Sequence, residues 1–142
     1  MFKKSTAILG VFILAVTASL SGMVSMASAQ SIEVQNYGGV SYISGGIGLD
    51  EREELEMIGR SYNLKLIFSV QQGNFLSDVQ VVITGSGGNT ALQAVSNGPW
   101  FYAQLPPGTY TVSATTLGKT FRKTARVGSG GRTQLSFVWA GY

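Results

Sequence analysis

Cysteine and histidine are both absent from this 142-residue chain. Without cysteine there is no disulfide, no thiolate nucleophile and no thiolate metal site. Without histidine, the commonest metal ligand and the usual general base near neutral pH are missing. Zinc centres, His-dependent triads and Cys–His pairs are thereby excluded. A fold without disulfides must be held by its apolar core alone, which a domain of this size can manage. Proline is scarce, with Pro99, Pro106 and Pro107 the only three. Acidic charge is missing from the last 64 residues. The last of the seven acids is Asp78, and only Lys119, Arg122, Lys123, Arg126 and Arg132 carry charge beyond it.

Long apolar runs are also lacking, apart from one at the N-terminus. Lys3 and Lys4 precede an apolar stretch from about Ala7 to Leu20, and Ala27-Ser28-Ala29 follows. A basic start, a short apolar run and an A-x-A site are the three regions of a secretory signal, so residues 1–29 read as a leader cleaved before Gln30. The run is too short to span a bilayer, which takes about 20 residues. No cysteine follows it to carry a lipid. The expected location is periplasmic or secreted, with no membrane span after the leader is removed. Without Lys3 and Lys4, eight basic residues face seven acidic ones. That near-neutral balance gives a nucleic-acid partner little support.

Residues 30–62 read as a Gly-rich arm followed by a short acidic helix. Gly38-Gly39 and Gly45-Gly46 are expected to break regular structure, with a short strand near Val40–Ile43. Asp50 is the expected N-cap, with Glu53 three residues on. Glu51, Glu53 and Glu54 suit the positive end of a helix dipole. Leu55 and Ile58 share a face, and Gly59 marks the end of about eight to ten helical residues.

Residues 63–142 read as strands and turns. Leu64, Leu66, Phe68 and Val70 alternate with Lys65, Ile67 and Ser69; Val79, Val81 and Ile83 alternate with Gln80, Val82 and Thr84. Further strands are expected at Thr90–Val95, Trp100–Leu105, Thr109–Thr115, Thr120–Val127 and Arg132–Trp139. Seven strands with a turn every eight to twelve residues predict an antiparallel, mainly β sandwich or barrel. Alternation places Leu64, Leu66, Phe68, Val79, Val81, Ile83, Trp100, Tyr102, Leu105, Tyr110, Val112, Ala114, Leu135, Phe137 and Trp139 in the core, and turns Phe101 outward.

The block from Gly98 to Val112 has the pattern G-x-aromatic-x-aromatic-x-x-L-P-P-G-x-Y-x-V, with Trp100, Tyr102 and Tyr110 at its aromatic positions. Together with Asp78-Val79-Gln80-Val81-Val82-Ile83 and the turn at Gly118, it resembles the carboxypeptidase regulatory-like domain. The resemblance implies a seven-stranded transthyretin-like, Ig-like sandwich over roughly residues 63–140, carrying an N-terminal arm and one short helix. It implies no catalytic residue, since such domains accompany an enzyme rather than act as one.

Candidate site residues follow from charge and facing. Phe101, Ile67 and Val82 are the expected outward apolar positions. Arg122 and Arg126 share one face of a strand and are the candidates for an anionic contact, although a solvated strand that discourages edge pairing explains them as well. The helix carboxylates lack the alternating oxygen ligands of a calcium loop, and the loops at 85–89 and 128–131 lack the helix that a phosphate-cradling loop needs. No catalytic, metal or cofactor residue is assigned, and an enzyme is not expected. The expected function is a non-catalytic exported domain that binds a protein or cell-envelope component. The alternative is a small-ligand or carbohydrate-binding module that uses exposed aromatics. The helix is expected to dock by Leu55 and Ile58 onto the outward apolar positions, its acids near Arg122, Arg126 or Lys65.

Overall fold

A computed structural model describes residues 32–141; the leader assigned to residues 1–29 lies outside the described residues. The described chain forms nine strands and one helix. In order these are β1 (Gln35–Tyr37), β2 (Val40–Gly45), α1 (Leu49–Ile58), β3 (Leu64–Val70), β4 (Val79–Gly85), β5 (Thr90–Ser96), β6 (Trp100–Ala103), β7 (Gly108–Thr116), β8 (Lys119–Val127) and β9 (Thr133–Trp139). One sheet, here sheet A, has the order β1-β2-β6-β3-β9; sheet B has the order β5-β4-β7-β8.

The strands expected from alternation are all present. The seven-stranded, wholly antiparallel expectation is corrected in two ways. First, the arm supplies β1 and β2, so sheet A begins before residue 63 and the arm is part of the sheet. Gly38 and Gly39 do not break structure. They take φ of 54° and 89° and form the two-residue turn between Tyr37 and its partner Val40. A turn with two positive φ values matches the twist of a hairpin, and glycine adopts it without strain. β2 then pairs with β6 from Tyr42–Ala103 to Gly45–Trp100, which satisfies backbone groups that would otherwise lie on an open edge. Second, β9 runs parallel to β3, from Leu64–Thr133 to Val70–Trp139.

The sheets share one core. Leu64, Leu66, Phe68, Phe101, Phe137 and Trp139 from sheet A meet Val79, Val81, Ile83, Leu92, Val112 and Ala125 from sheet B. Aromatic rings fill much of it: Phe68 lies 5.8 Å from Phe137 and 6.2 Å from Trp139, centroid to centroid. One side chain from each of β8 and β9 bonds across the gap between the two strands. Lys123 Nζ donates to the Ser136 carbonyl at 2.5 Å, and Trp139 Nε1 donates to the Lys119 carbonyl at 3.1 Å. Among the described residues, no helix is long and apolar enough to cross a membrane.

The helix covers the opposite, outer face of sheet A. Its start differs from expectation. Gly48 occupies the N-cap, while Asp50 lies inside the first turn with Glu51. Glu51 instead accepts the Gly46 amide at 2.9 Å, and Arg52 Nε donates to the Gly46 carbonyl at 2.9 Å. These two bonds fold the helix start back on the end of β2. Leu55 is fully buried against Ile43, Tyr62 and Tyr102. Full burial of a leucine side chain stabilises by about 1.5–3 kcal/mol, so this contact carries most of the docking. Gly59 lets the helix end come close: a Cβ there would stand 2.5 Å from Tyr102 Cε1.

Candidate functional site

The facing of β6 decides what the outer surface can do. Phe101 pairs with Leu66 on β3, a core position, and is fully buried. Its ring stacks on Tyr42 at 5.5 Å. Trp100 and Tyr102 therefore point to the outer face, beside their β3 partners Ile67 and Lys65. The expectation that Trp100 and Tyr102 face the shared core and Phe101 faces solvent is thus inverted. The physical reason lies in the strand itself. Trp100-Phe101-Tyr102-Ala103 has no polar residue to mark a solvent side, because both of its faces are covered, one by sheet B and one by α1.

Beneath the helix lies a charged and aromatic cluster. Lys65 sits centrally in sheet A and is 5% exposed. Its ammonium contacts Glu56 Oε1 on α1 at 2.9 Å, the one ion pair among the described residues. The same ammonium lies 3.9 Å from the Trp100 ring centre and 5.3 Å from that of Tyr102. A desolvated cation is stabilised by the negative faces of such rings. The hydrogen bond from Lys65 holds the Glu56 carboxyl below the usual carboxylate range. Burial pushes the Tyr102 phenol up, and its oxygen has no hydrogen-bond partner among the described residues. The helix covers Lys65 and Tyr102, while Glu56 stays open to solvent at the rim. The arrangement is that of a latch, with one charge pair and one leucine fixing α1 to the sheet.

The five expected site residues do not form one surface. Phe101 is buried, which removes it as an outward contact. Ile67 is half-buried on the outer face of sheet A. Val82 is half-buried on the outer face of sheet B, in one cross-strand row with Ser113 and Arg122. Arg126 lies further along β8, opposite Thr109. Ile67 and the Val82–Arg122 row thus sit on opposite sides of the molecule. Of the basic groups expected near the helix, Lys65 is there; Arg122 and Arg126 are on the other sheet.

A different surface brings apolar and cationic groups together. Ile47 and Phe75 are 63% and 48% exposed, and both line a hollow of about 200 Å³ at the start of α1, with Pro99 and Leu76. Arg52 lies over the Phe75 ring at 4.1 Å. Loop 46–48 and the turn after β3 supply Ile47 and Phe75, and α1 supplies Arg52, so no strand periodicity points to them. The available signal is Ile47 between two glycines and the pair Phe75-Leu76 in a loop otherwise made of glycine and polar residues. No protein-family model matches the chain, and no curated protein matches its sequence.

Proposed function

We propose that this chain is an exported, non-catalytic sandwich domain of the carboxypeptidase regulatory-like, transthyretin-like type that binds a protein or cell-envelope component. The observation that carries the binding reading is the exposed pair Ile47 and Phe75 around the hollow capped by Arg52. Large apolar side chains grouped around a hollow favour contact with a partner, and arginine and aromatics are the residue types that anchor such contacts. The fold type is supported by the corner at Pro106–Tyr110, where the Tyr110 hydroxyl donates to the Pro106 carbonyl at 2.6 Å. A tyrosine that bonds back to the backbone a few residues upstream recurs in Greek-key sandwiches. The leader with Lys3, Lys4 and Ala27-Ser28-Ala29 supports export. The alternative, a small-ligand or carbohydrate-binding module that uses exposed aromatics, has no such ring in Phe101, which is buried.

Co-sedimentation of the purified protein with washed envelopes of the producing cells tests this reading. The wild type is expected to sediment with them. The double variant Ile47→Ser, Phe75→Ser is expected to remain in the supernatant with its urea midpoint close to that of wild type. Equal sedimentation of both proteins, or none of either, would overturn the assignment.

A further inference from the structure

The end of the molecule opposite the turn after β3 holds a second concavity, of about 490 Å³. It lies between the 3-10 turn that follows α1 (Gly59–Ser61), the start of β3, the end of β6 and the loop 128–131. Its size lies within the range of small-ligand sites. Two arginines, Arg60 and Arg132, line it, and no aspartate or glutamate does. Glu56, on the helix that leads into Arg60, is already bound to Lys65 at 2.9 Å. Arg132 and Arg60 both add, after Lys65, to the lowering of the Glu56 pKa. The lining itself therefore carries two positive charges and no negative one.

The arrangement is also built. Arg132 Nη2 donates to the Gly59 carbonyl at 2.9 Å, which fixes one arm of a guanidinium that has five donors. Asn63 exchanges two hydrogen bonds with the Leu105 backbone, at 2.7 and 2.9 Å, and its own amide donates to Gln104 Oε1 at 3.0 Å. The floor is thus locked between β3 and β6, and among the described residues the Gln104 amide nitrogen makes no hydrogen bond. The rim formed by Gly128-Ser129-Gly130-Gly131 has no bulky side chain to block entry. A guanidinium fork matches the two oxygens of a carboxylate or phosphate, and charge-assisted bonds of this kind are roughly twice as strong as neutral ones. Arg122 and Arg126, by contrast, stand on an exposed strand face and line neither this concavity nor the hollow at Phe75.

We propose that this cavity is a binding site for a small polar ligand that carries an oxyanion, with Arg132 and Arg60 as the paired anion contacts and Gln104 and Ser129 as hydrogen-bonding partners for its neutral part. The site is separate from the hollow at Ile47 and Phe75, and either can fail without the other.

Backbone amide shifts of the purified chain, followed during titration with glucuronate, inorganic phosphate and neutral glucose, test the site. Glucuronate, phosphate or both are expected to move Ser61, Asn63, Ser129 and Gly131 in a saturable way, while glucose moves none. Which of the two oxyanions saturates tells a carboxylate ligand from a phosphate ligand. Arg60→Gln and Arg132→Gln are each expected to weaken binding tenfold or more, and Arg122→Gln to leave it unchanged. Arg60 is exposed and makes no side-chain hydrogen bond among the described residues, so its variant tests the anion contact even if Arg132→Gln disturbs the fold. Failure of both oxyanions to saturate, unchanged affinity in Arg60→Gln, or equal weakening in Arg122→Gln would overturn the proposal.

Discussion

The two sheets present opposite solutions to the same problem, that of an outer face. On sheet A the outer rows read Ile43, Tyr102, Lys65 and Gln134, then Gly45, Trp100, Ile67 and Ser136. Half of those eight positions are apolar or aromatic, and α1 lies over them through Leu55. On sheet B one row reads Thr90, Thr84, Thr111 and Thr124, four threonines in register across four strands. The neighbouring rows add Gln93, Val82, Ser113 and Arg122, then Val95, Gln80, Thr115 and Thr120. Thr115 and Thr120 share a hydrogen bond of 2.7 Å. Threonine favours strand geometry and leaves a hydroxyl for water, so sheet B needs no cover. The lesson is that the helix is present because of the sheet beneath it. Its own sequence, short and acidic, would not be stable alone.

The largest expected effect tests which side of β6 meets the shared core. Phe101→Ala is expected to cost about 3–5 kcal/mol, through lost burial and a residual cavity. Trp100→Ala, at a half-buried outer position, is expected to cost about 1–2 kcal/mol. Urea melts that rank the two in the reverse order would show that the strand faces the other way.

Next in size is removal of the cover. Leu55→Ala is expected to cost about 2–3 kcal/mol and to raise hydrogen exchange across residues 49–61 while leaving sheet B protected. If exchange rises equally in both sheets, the cover and the core form one cooperative unit and the comparison between faces loses its meaning. The same latch predicts a pH effect on one face only. Because Lys65 lowers the folded pKa of Glu56, the contribution of the pair is complete above the unfolded glutamate pKa. It fades as pH falls through the lower folded value. Glu56 is half exposed, so solvent screening keeps the contribution modest. Wild type is expected to lose its stability margin over Glu56→Gln in acid, and a margin that stays constant down to about pH 3 would separate the latch from this ion pair.

The smallest effect belongs to the open face. Thr111→Val is expected to change stability by no more than about 0.5 kcal/mol, as for most exposed substitutions away from special features. A larger loss in a thermal melt would mean that the threonine row contributes to the fold rather than simply facing water.

Much of sheet B is legible in the sequence, because its strands alternate cleanly. Val79, Val81 and Ile83 against Gln80, Val82 and Thr84 leave one possible facing, and all three apolar residues are fully buried. Sheet A is legible in its elements but not in its facing. β6 is apolar on both sides, and Lys65, which alternation would send to solvent, is 5% exposed under a helix. The hairpin at Gly38-Gly39 escapes a local reading because glycine pairs mark a break and a tight turn equally well. The candidate contacts at Ile47, Phe75, Arg60 and Arg132 come from loops or short turns, where no periodicity ties a side chain to a neighbour.

By itself, then, the sequence determined the strand and turn rhythm from residue 63 onward, the short acidic helix, and the exclusion of thiol and imidazole chemistry. These depend on local spacing and on residue type. Only the tertiary structure decided that the arm extends sheet A, that β9 runs parallel to β3, and that Phe101 lies inside while Trp100 and Tyr102 lie beneath α1. Those outcomes depend on which surfaces meet across long separations in the chain. A strand apolar on both faces leaves that choice to its neighbours.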